Sequence, residues 1–383
     1  MRSALRCPTR LHAGLFGMAL LAASALLTSA SALSGPDPRA TALIQELGLK
    51  QAEVAARDLP GWSVPKRIVL GSRNPQLLQR LQVVAPEVEI VVADADPARR
   101  AEQLAGAQAV FGLCDQATLD AAPKLHWIQT LWVGVERCVV LPGLLERQIL
   151  LTNMQRTSGM PIADHAIAMS TALMRGLPQF VRQQQAGHWA DAESELPTMR
   201  EIAGQTLLVV GLGGIGTEVA RRAHGLGMRV IAIRNSSREG PDFVAQVGLS
   251  EDLLAYAAQA DVVVNSLPLT AETTGIFNAG FFAAMKPKSY FISVGRGQST
   301  VSDDLVAALR SGHLAGAGLD VTDPEPLPAE HPLWAFPNVI ITPHVAAASE
   351  VQNQRYLILA MENLRRYVAG EPMLNVVDIA RGY

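Results

Sequence analysis

From residue 66 onward, short and mostly apolar runs alternate with stretches in which apolar residues recur every three or four positions. The runs 67–70 (RIVL), 89–92 (EIVV), 109–112 (AVFG), 125–130 (LHWIQT) and 149–152 (ILLT) are too short for helices. They have the character of strands buried on both faces of a parallel sheet. Helical spacing over residues 75–83 and 97–104 separates them and completes a first α/β domain. Residues 161–180 then predict one long helix, with Ile162, His165, Ala166, Met169, Leu173 and Leu177 on one face, leading into a second α/β domain. The later strands of that domain are 228–233, 262–265 (VVVN), 290–294 (YFISV), 316–320 (GAGLD) and 339–342 (VIIT). A last helix over 352–368 leads back to cover the first domain.

The stretch 206–222, TLLVVGLGGIGTEVARR, opens the second domain and organises it. An apolar strand ends on Gly211-x-Gly213-x-x-Gly216, and a helix follows at once. In such a unit the first glycine permits the tight turn, the second leaves no Cβ between backbone and pyrophosphate, and the third lets helix and strand pack closely. The free N–H groups of the first helical turn, around Gly214 and Ile215, would hold the phosphates. This predicts a Rossmann-type dinucleotide domain. At the tip of its second strand an acidic residue would select NAD by bonding the ribose hydroxyls. Here Arg234, Ser236, Ser237 and Arg238 stand there instead, with no carboxylate until Glu239. That composition favours a 2′-phosphate, hence NADP, with NAD as the alternative.

Ligands of an open parallel sheet bind beyond the carboxyl ends of its strands. Pro268, Arg296, Asp320 and His344 all lie at such ends. Arg296, between Gly295 and Gly297, offers a planar fork suited to a carboxylate. His344 is the side chain suited to exchanging a proton near neutral pH, and Glu325, stiffened by neighbouring prolines, can orient it. The trio fits carbonyl reduction, in which Arg296 binds, His344 gives the proton and Glu325 holds His344.

The chain has 383 residues, enough for two domains with separate cores. With 32 basic against 35 acidic side chains and no basic run, nothing favours a nucleic-acid partner. Cys7, Cys114 and Cys138 have no metal-ligand spacing, so no metal is expected. The latter two read as small core residues, and a bridge between them is left open. Arg2, Arg6 and Arg10 precede an apolar segment over 15–27 and the small residues Ala30-Ser31-Ala32. This predicts a signal peptide over 1–32 and export, with an organellar transit peptide or a cytoplasmic location as the alternatives, and the apolar run is short for a stable membrane anchor. Residues 33–65 read as an N-terminal extension, 66–158 as a substrate domain completed by 345–383, and 159–344 as the dinucleotide-binding domain.

The motifs GLGGIG (211–216), SVGRG (293–297), GLDVTDPEPLP (318–328) and ITPHVA (341–346) together resemble the D-isomer-specific 2-hydroxyacid dehydrogenases. The resemblance covers about residues 66–377 and implies two doubly wound parallel-sheet domains, the substrate domain being flavodoxin-like. It implies catalytic Arg296, Glu325 and His344, hydride transfer at nicotinamide C4, and a homodimer. It also implies that the backbone amides of Val133 and Gly134 meet the substrate carboxylate and that Asp320 contacts the nicotinamide carboxamide. Ser293, Thr322, Asp164 and Glu136 depart from the residues common at their positions, which bears on substrate preference. The expected reaction reduces a small 2-oxo acid, of glyoxylate or hydroxypyruvate type, to a D-2-hydroxy acid. The alternatives are a dinucleotide-sensing binding protein without turnover and a phosphite-type dehydrogenase.

Overall fold

The computed structural model describes residues 35 and 37–382, so the expected signal segment lies outside the described residues. The first lobe opens with helix α1 (Pro38–Leu47) and strand β1 (Gln51–Ala55). Strands β2 (Arg67–Leu70), β3 (Glu89–Val92), β4 (Ala109–Phe111), β5 (Trp127–Gln129) and β6 (Leu150–Thr152) follow. They alternate with helices α2 (Pro75–Val84), α3 (Pro97–Leu104), α4 (Gln116–Ala121) and α5 (Glu136–Val139). The five strands are parallel in the order β3-β2-β4-β5-β6, the flavodoxin-like arrangement. Helices α1, α2 and α3 each begin with proline behind an Asp or Asn whose side chain accepts from a first-turn N–H: Asp37 from Arg39, Asn74 from Gln76, Asp96 from Ala98 and Arg99. This satisfies donors that the helix itself cannot.

Residues 38–55 were expected as part of an extension; in the structure α1 packs into this lobe's core and β1 pairs with a later strand at its edge. Leu43 and Leu47 of α1 are buried in the cluster that holds Ile68, Leu70 and Phe111. The sequence signal was weak because β1 is an edge strand with little burial. Cys114, just before α4, and Cys138, on α5, form a disulfide with Cα atoms 5.6 Å apart.

The second lobe begins with α6 (Gly159–Met174) and α7 (Leu177–Gln185). These are two helices where the sequence pattern predicts one. Gly176 takes a left-handed φ of 69° and Pro178 starts the next helix, so the apolar spacing runs on through a break in the backbone. Then come β7 (Thr206–Val210), α8 (Gly214–Gly225), β8 (Arg229–Ile233), β9 (Gln246–Gly248), α9 (Leu253–Ala257), β10 (Val262–Asn265) and α10 (Ala279–Ala284). The lobe closes with β11 (Tyr290–Ser293), α11 (Ser302–Arg310), β12 (Gly316–Leu319) and β13 (Val339–Ile341). All seven strands are parallel, in the order β13-β12-β11-β10-β7-β8-β9. One face is covered by α6 and α8, packing Met169, Leu173, Val219 and Ala223 against Val209 and Val264. The other is covered by α9, α10 and α11, with Phe281, Phe282 and Leu305 against Val263 and Phe291.

The chain returns to the first lobe through α12 (Gln352–Ala369) and β14 (Pro372–Leu374), which pairs antiparallel with β1. Tyr367 of α12 stacks on the buried Trp127 at 4.6 Å between ring centroids, and Asn363 Nδ2 donates to Gln129 Oε1 at 2.8 Å. No helix among the described residues is long and apolar enough to cross a membrane.

Candidate active site

The first βα turn of the second lobe forms an anion cradle. Gly211 has φ +101°, which a residue with a side chain rarely adopts. A Cβ on Gly216 would stand 2.1 Å from the Gly211 carbonyl oxygen, so this contact between turn and helix needs glycine. On Gly213 a Cβ would meet nothing within 4 Å, leaving open space above the turn. The first helical bond of α8 runs from Thr217 N–H to Gly213 O at 2.9 Å. The N–H groups of Gly214, Ile215 and Gly216 therefore point from a helix N-terminus, a geometry that fits a pyrophosphate. The loop after β10, carrying Ser266 and Pro268, lies against Gly211 at the reversal of strand order, where such sheets bind ligands.

At the end of β8 the two arginines differ. Arg234 Nη1 donates to Glu239 O at 2.9 Å, and its Nε is buried without a partner. Arg238 is drawn to the carboxylates of Glu251 and Asp252, its bond to Glu251 Oε1 measuring 3.0 Å. The sequence places both guanidinium groups at the ribose. The structure gives only Arg234 no carboxylate partner there, because two acidic residues 13 and 14 positions further on claim Arg238. Ser236 and Ser237 remain exposed or half-buried beside it.

The strand ends next to the Gly-rich turn carry Arg296, Glu325 and His344, the residues expected to react. Arg296 follows β11 in a turn that tolerates no side chain on either flank. A Cβ on Gly295 would lie 2.7 Å from Leu267 O, and one on Gly297 1.7 Å from Thr322 O. The turn is thereby pressed against the loop after β12. In that loop Thr322 N–H donates to Glu325 Oε1 at 3.0 Å, and Glu325 Oε2 pairs with His344 Nδ1 at 3.1 Å. His344 follows β13 with φ 54°, a left-handed conformation that costs energy for a residue with a side chain.

Asp320 holds His344 in that conformation. Its carbonyl accepts from His344 N–H at 2.8 Å, and its carboxylate accepts from Thr342 Oγ1, Val345 N–H and Ala346 N–H at 2.7, 2.9 and 3.0 Å. Asp320 is 3% exposed, and what it holds is the histidine turn. Because the Thr342 hydroxyl hydrogen goes to Asp320, His165 Nε2, 2.9 Å from that hydroxyl, is the donor to it.

The first lobe contributes the loop 131–135. Asn153 Nδ2 donates to Val133 O at 2.8 Å and Thr130 Oγ1 to Trp132 O at 2.8 Å, which fixes the loop's carbonyls. The N–H groups of Val133 and Gly134 have no acceptor among the described residues. Arg296 Nη2 stands where a side chain on Gly134 would be, 1.7 Å from an ideal Cβ. Sequence reasoning did not give Glu136 a role. Its Oε1 accepts from Arg296 Nε at 2.9 Å, across 160 positions of chain. Burial pushes the Glu136 carboxyl up, but the charge and hydrogen bonding of Arg296 outweigh it and hold it below the usual carboxylate range.

A Gly-rich turn at the switch point of a parallel sheet, with an arginine and a Glu-paired histidine at neighbouring strand ends, is the arrangement of a dinucleotide-dependent oxidoreductase. Residues 167–346 match the family model of the D-isomer specific 2-hydroxyacid dehydrogenase NAD binding domain. The chain is 32% identical to glyoxylate/hydroxypyruvate reductase B of Escherichia fergusonii, over 81% of this chain and 97% of that protein. It is 33% identical to the human glyoxylate reductase/hydroxypyruvate reductase, over 76% and 90%. The NADPH-dependent glyoxylate/hydroxypyruvate reductase of Sinorhizobium meliloti, solved with NADP and sulfate, superposes with a TM-score of 0.72 at 29% identity, covering 83% of this chain and all of that one. The chain belongs to the D-isomer-specific 2-hydroxyacid dehydrogenase family, as an NAD(P)-dependent enzyme.

Proposed function

We propose that the protein reduces a small 2-oxo acid of glyoxylate or hydroxypyruvate type to the D-2-hydroxy acid, with NADPH preferred over NADH. The observation that carries this reading is the meeting of Arg296 Nη2 with Gly134 in one cleft, beside the His344–Glu325 pair. The Val133 and Gly134 amides and the Arg296 guanidinium converge on one anion, the substrate carboxylate. When bound, NADPH supplies the hydride that the carbonyl carbon accepts. Glu325 occupies His344 Nδ1, which leaves Nε2 to face the substrate oxygen and hand it a proton. Arg296 also stabilises the negative charge that grows on that oxygen. The Gly-rich turn and α8 N-terminus would hold the pyrophosphate, and Arg234 with Ser236 the 2′-phosphate, a reading supported by Arg234 bonding a backbone carbonyl and no carboxylate.

The same reading includes a homodimer built on α7 and the segment after it. That helix buries none of its residues, and Leu177, Val181, Trp189, Leu196 and Met199 are exposed along this arm. Sedimentation of the wild type as a dimer, and of Val181→Glu as a monomer, is the expected outcome. The reaction itself is tested by absorbance at the nicotinamide band, with glyoxylate, hydroxypyruvate, pyruvate and phenylpyruvate against NADPH and NADH. Oxidation of NADPH by the small acids is expected. Cofactor binding without turnover across the panel would refute it.

A further inference from the structure

We infer that Glu136 is a positioning residue for Arg296, and that its charge tunes the site to acids bearing a single negative charge. The inference rests on the reading of Arg296 and Gly134 as the carboxylate site. A free guanidinium presents five donors in a fork and can turn any edge to an anion. Here two edges are committed: Nε donates to Glu136 Oε1 at 2.9 Å, and Nη1 donates to the Gly295 carbonyl at 2.8 Å. Both N–H groups of Nη2 and the second of Nη1 remain, and Nη2 stands over the Cα of Gly134. Glu136 thus selects which edge of the arginine faces the substrate.

Glu136 is itself held. It opens α5, directly after the loop that carries Val133 and Gly134, and its neighbour Cys138 is buried and joined to Cys114. The side chains of Arg296 and Glu136 are only 24% and 29% exposed, so the pair is partly shielded from water. Arg296 arrives from the second lobe and Glu136 from the first, so the pair also fixes the cleft across which the substrate lies. Glu136 offsets the charge of Arg296, so the pair carries no surplus positive charge with which to hold more than one substrate carboxylate. A second charge on the substrate would meet the Glu136 carboxylate, whose Oε2 also borders Gly134, 2.6 Å from the ideal Cβ position. For like charges about 4 Å apart, the penalty ranges from roughly fivefold in water to roughly a thousandfold in a partly shielded site.

Oxamate and oxalate test this, since they share size and shape and differ by one negative charge. Their dissociation constants would be measured by calorimetry on the intact, NADPH-loaded protein, alongside kcat and KM for glyoxylate. The wild type should hold oxamate more tightly. Glu136→Gln should shift the ratio toward oxalate by at least about tenfold and lower kcat, because its amide oxygen can still accept from Arg296 Nε but without the charge that holds the guanidinium firmly. Glu136→Asp keeps the charge, so it should keep the ratio and recover part of kcat. A folded Glu136→Gln with the wild-type ratio, or a Glu136→Asp that loses it, would overturn the inference. Failure of both probes to bind the wild type would instead remove the carboxylate site on which it rests.

Discussion

Replacing Gly297 with alanine puts one methyl group where three elements of the site meet. An ideal Cβ there lies 1.7 Å from the Thr322 oxygen, 2.2 Å from the Thr322 carbon and 2.9 Å from the Asp323 nitrogen. Unbonded carbon atoms rest about 3.5–4.0 Å apart, so the arginine turn or the Thr322 loop must retreat by roughly 1.5 Å. The same loop holds Glu325 through Thr322 N–H, and Glu325 holds His344, so a retreat separates Arg296 from the His344–Glu325 pair. A misplacement of about 1 Å costs on the order of a hundredfold in rate, and kcat should fall by at least that much. Overpacking should also cost about 1–3 kcal/mol of stability. The assay is kcat for glyoxylate at saturating NADPH, with the NADPH dissociation constant followed by fluorescence and the thermal midpoint recorded. Cofactor affinity should change little, because the turn at Gly211 is untouched. Gly225→Ala is the control: its Cβ meets nothing within 4 Å, and in α8 it should be neutral or stabilising by up to about 1 kcal/mol. A Gly297→Ala enzyme that keeps more than about a tenth of wild-type kcat would refute this account of how the site is held together.

Gly216→Val should weaken NADPH binding by at least about tenfold while leaving the Arg296, Glu325 and His344 geometry intact, since even a Cβ would stand 2.1 Å from Gly211 O; cofactor titration reads this. Arg234→Ala should lower kcat/KM for NADPH by about ten- to a hundredfold, as expected for a lost charge-assisted bond, and leave NADH almost unaffected. Cys138→Ser should cost the oxidised protein about 3 kcal/mol more than the reduced one, from a loop spanning 24 positions, the smaller cost of burying a hydroxyl being common to both; denaturant unfolding with and without reductant checks it. The Glu136 carboxyl lies below its ordinary value in the folded protein, so its contribution to stability is complete above the unfolded value of about 4.3 and is lost as pH falls through the folded one. Thermal midpoints followed into acid should therefore drop less steeply for Glu136→Gln than for the wild type.

The strands of both sheets were legible in the sequence because parallel strands buried on two faces must be apolar for most of their length, as RIVL and VVVN are. The Gly-rich turn was legible because its spacing is set by steric demands, which the structure displays at Gly211 through its positive φ and at Gly216 through its contact with Gly211 O. Harder to read was β9, three residues of sequence QVG at a sheet edge, where neither apolar length nor alternation can accumulate. The break between α6 and α7 had its signals in Gly176 and Pro178, but the apolar spacing across them argued for continuity and outweighed them. His344 and Glu325 could be paired from chemistry, since few residues suit a proton donor and its orienter. The bond from Glu136 to Arg296 could not, because no local pattern shows that two charges 160 positions apart will meet. The capture of Arg238 by Glu251 and Asp252 escaped for the same reason, at shorter range.

The return of α12 and β14 to the first lobe sets an order of events during synthesis. Residues 66–158 leave the ribosome early, yet Trp127 at their centre waits for Tyr367 to stack on it, Gln129 waits for Asn363, and β1 waits for β14. Meanwhile the whole seven-stranded sheet of the second lobe is complete once residue 341 has emerged. The part made first is thus finished last, and until then it carries an uncovered aromatic surface of the kind that binds holdases or aggregates. Truncation before α12 should therefore spare the cofactor cradle and leave the substrate loop on an unfinished sheet.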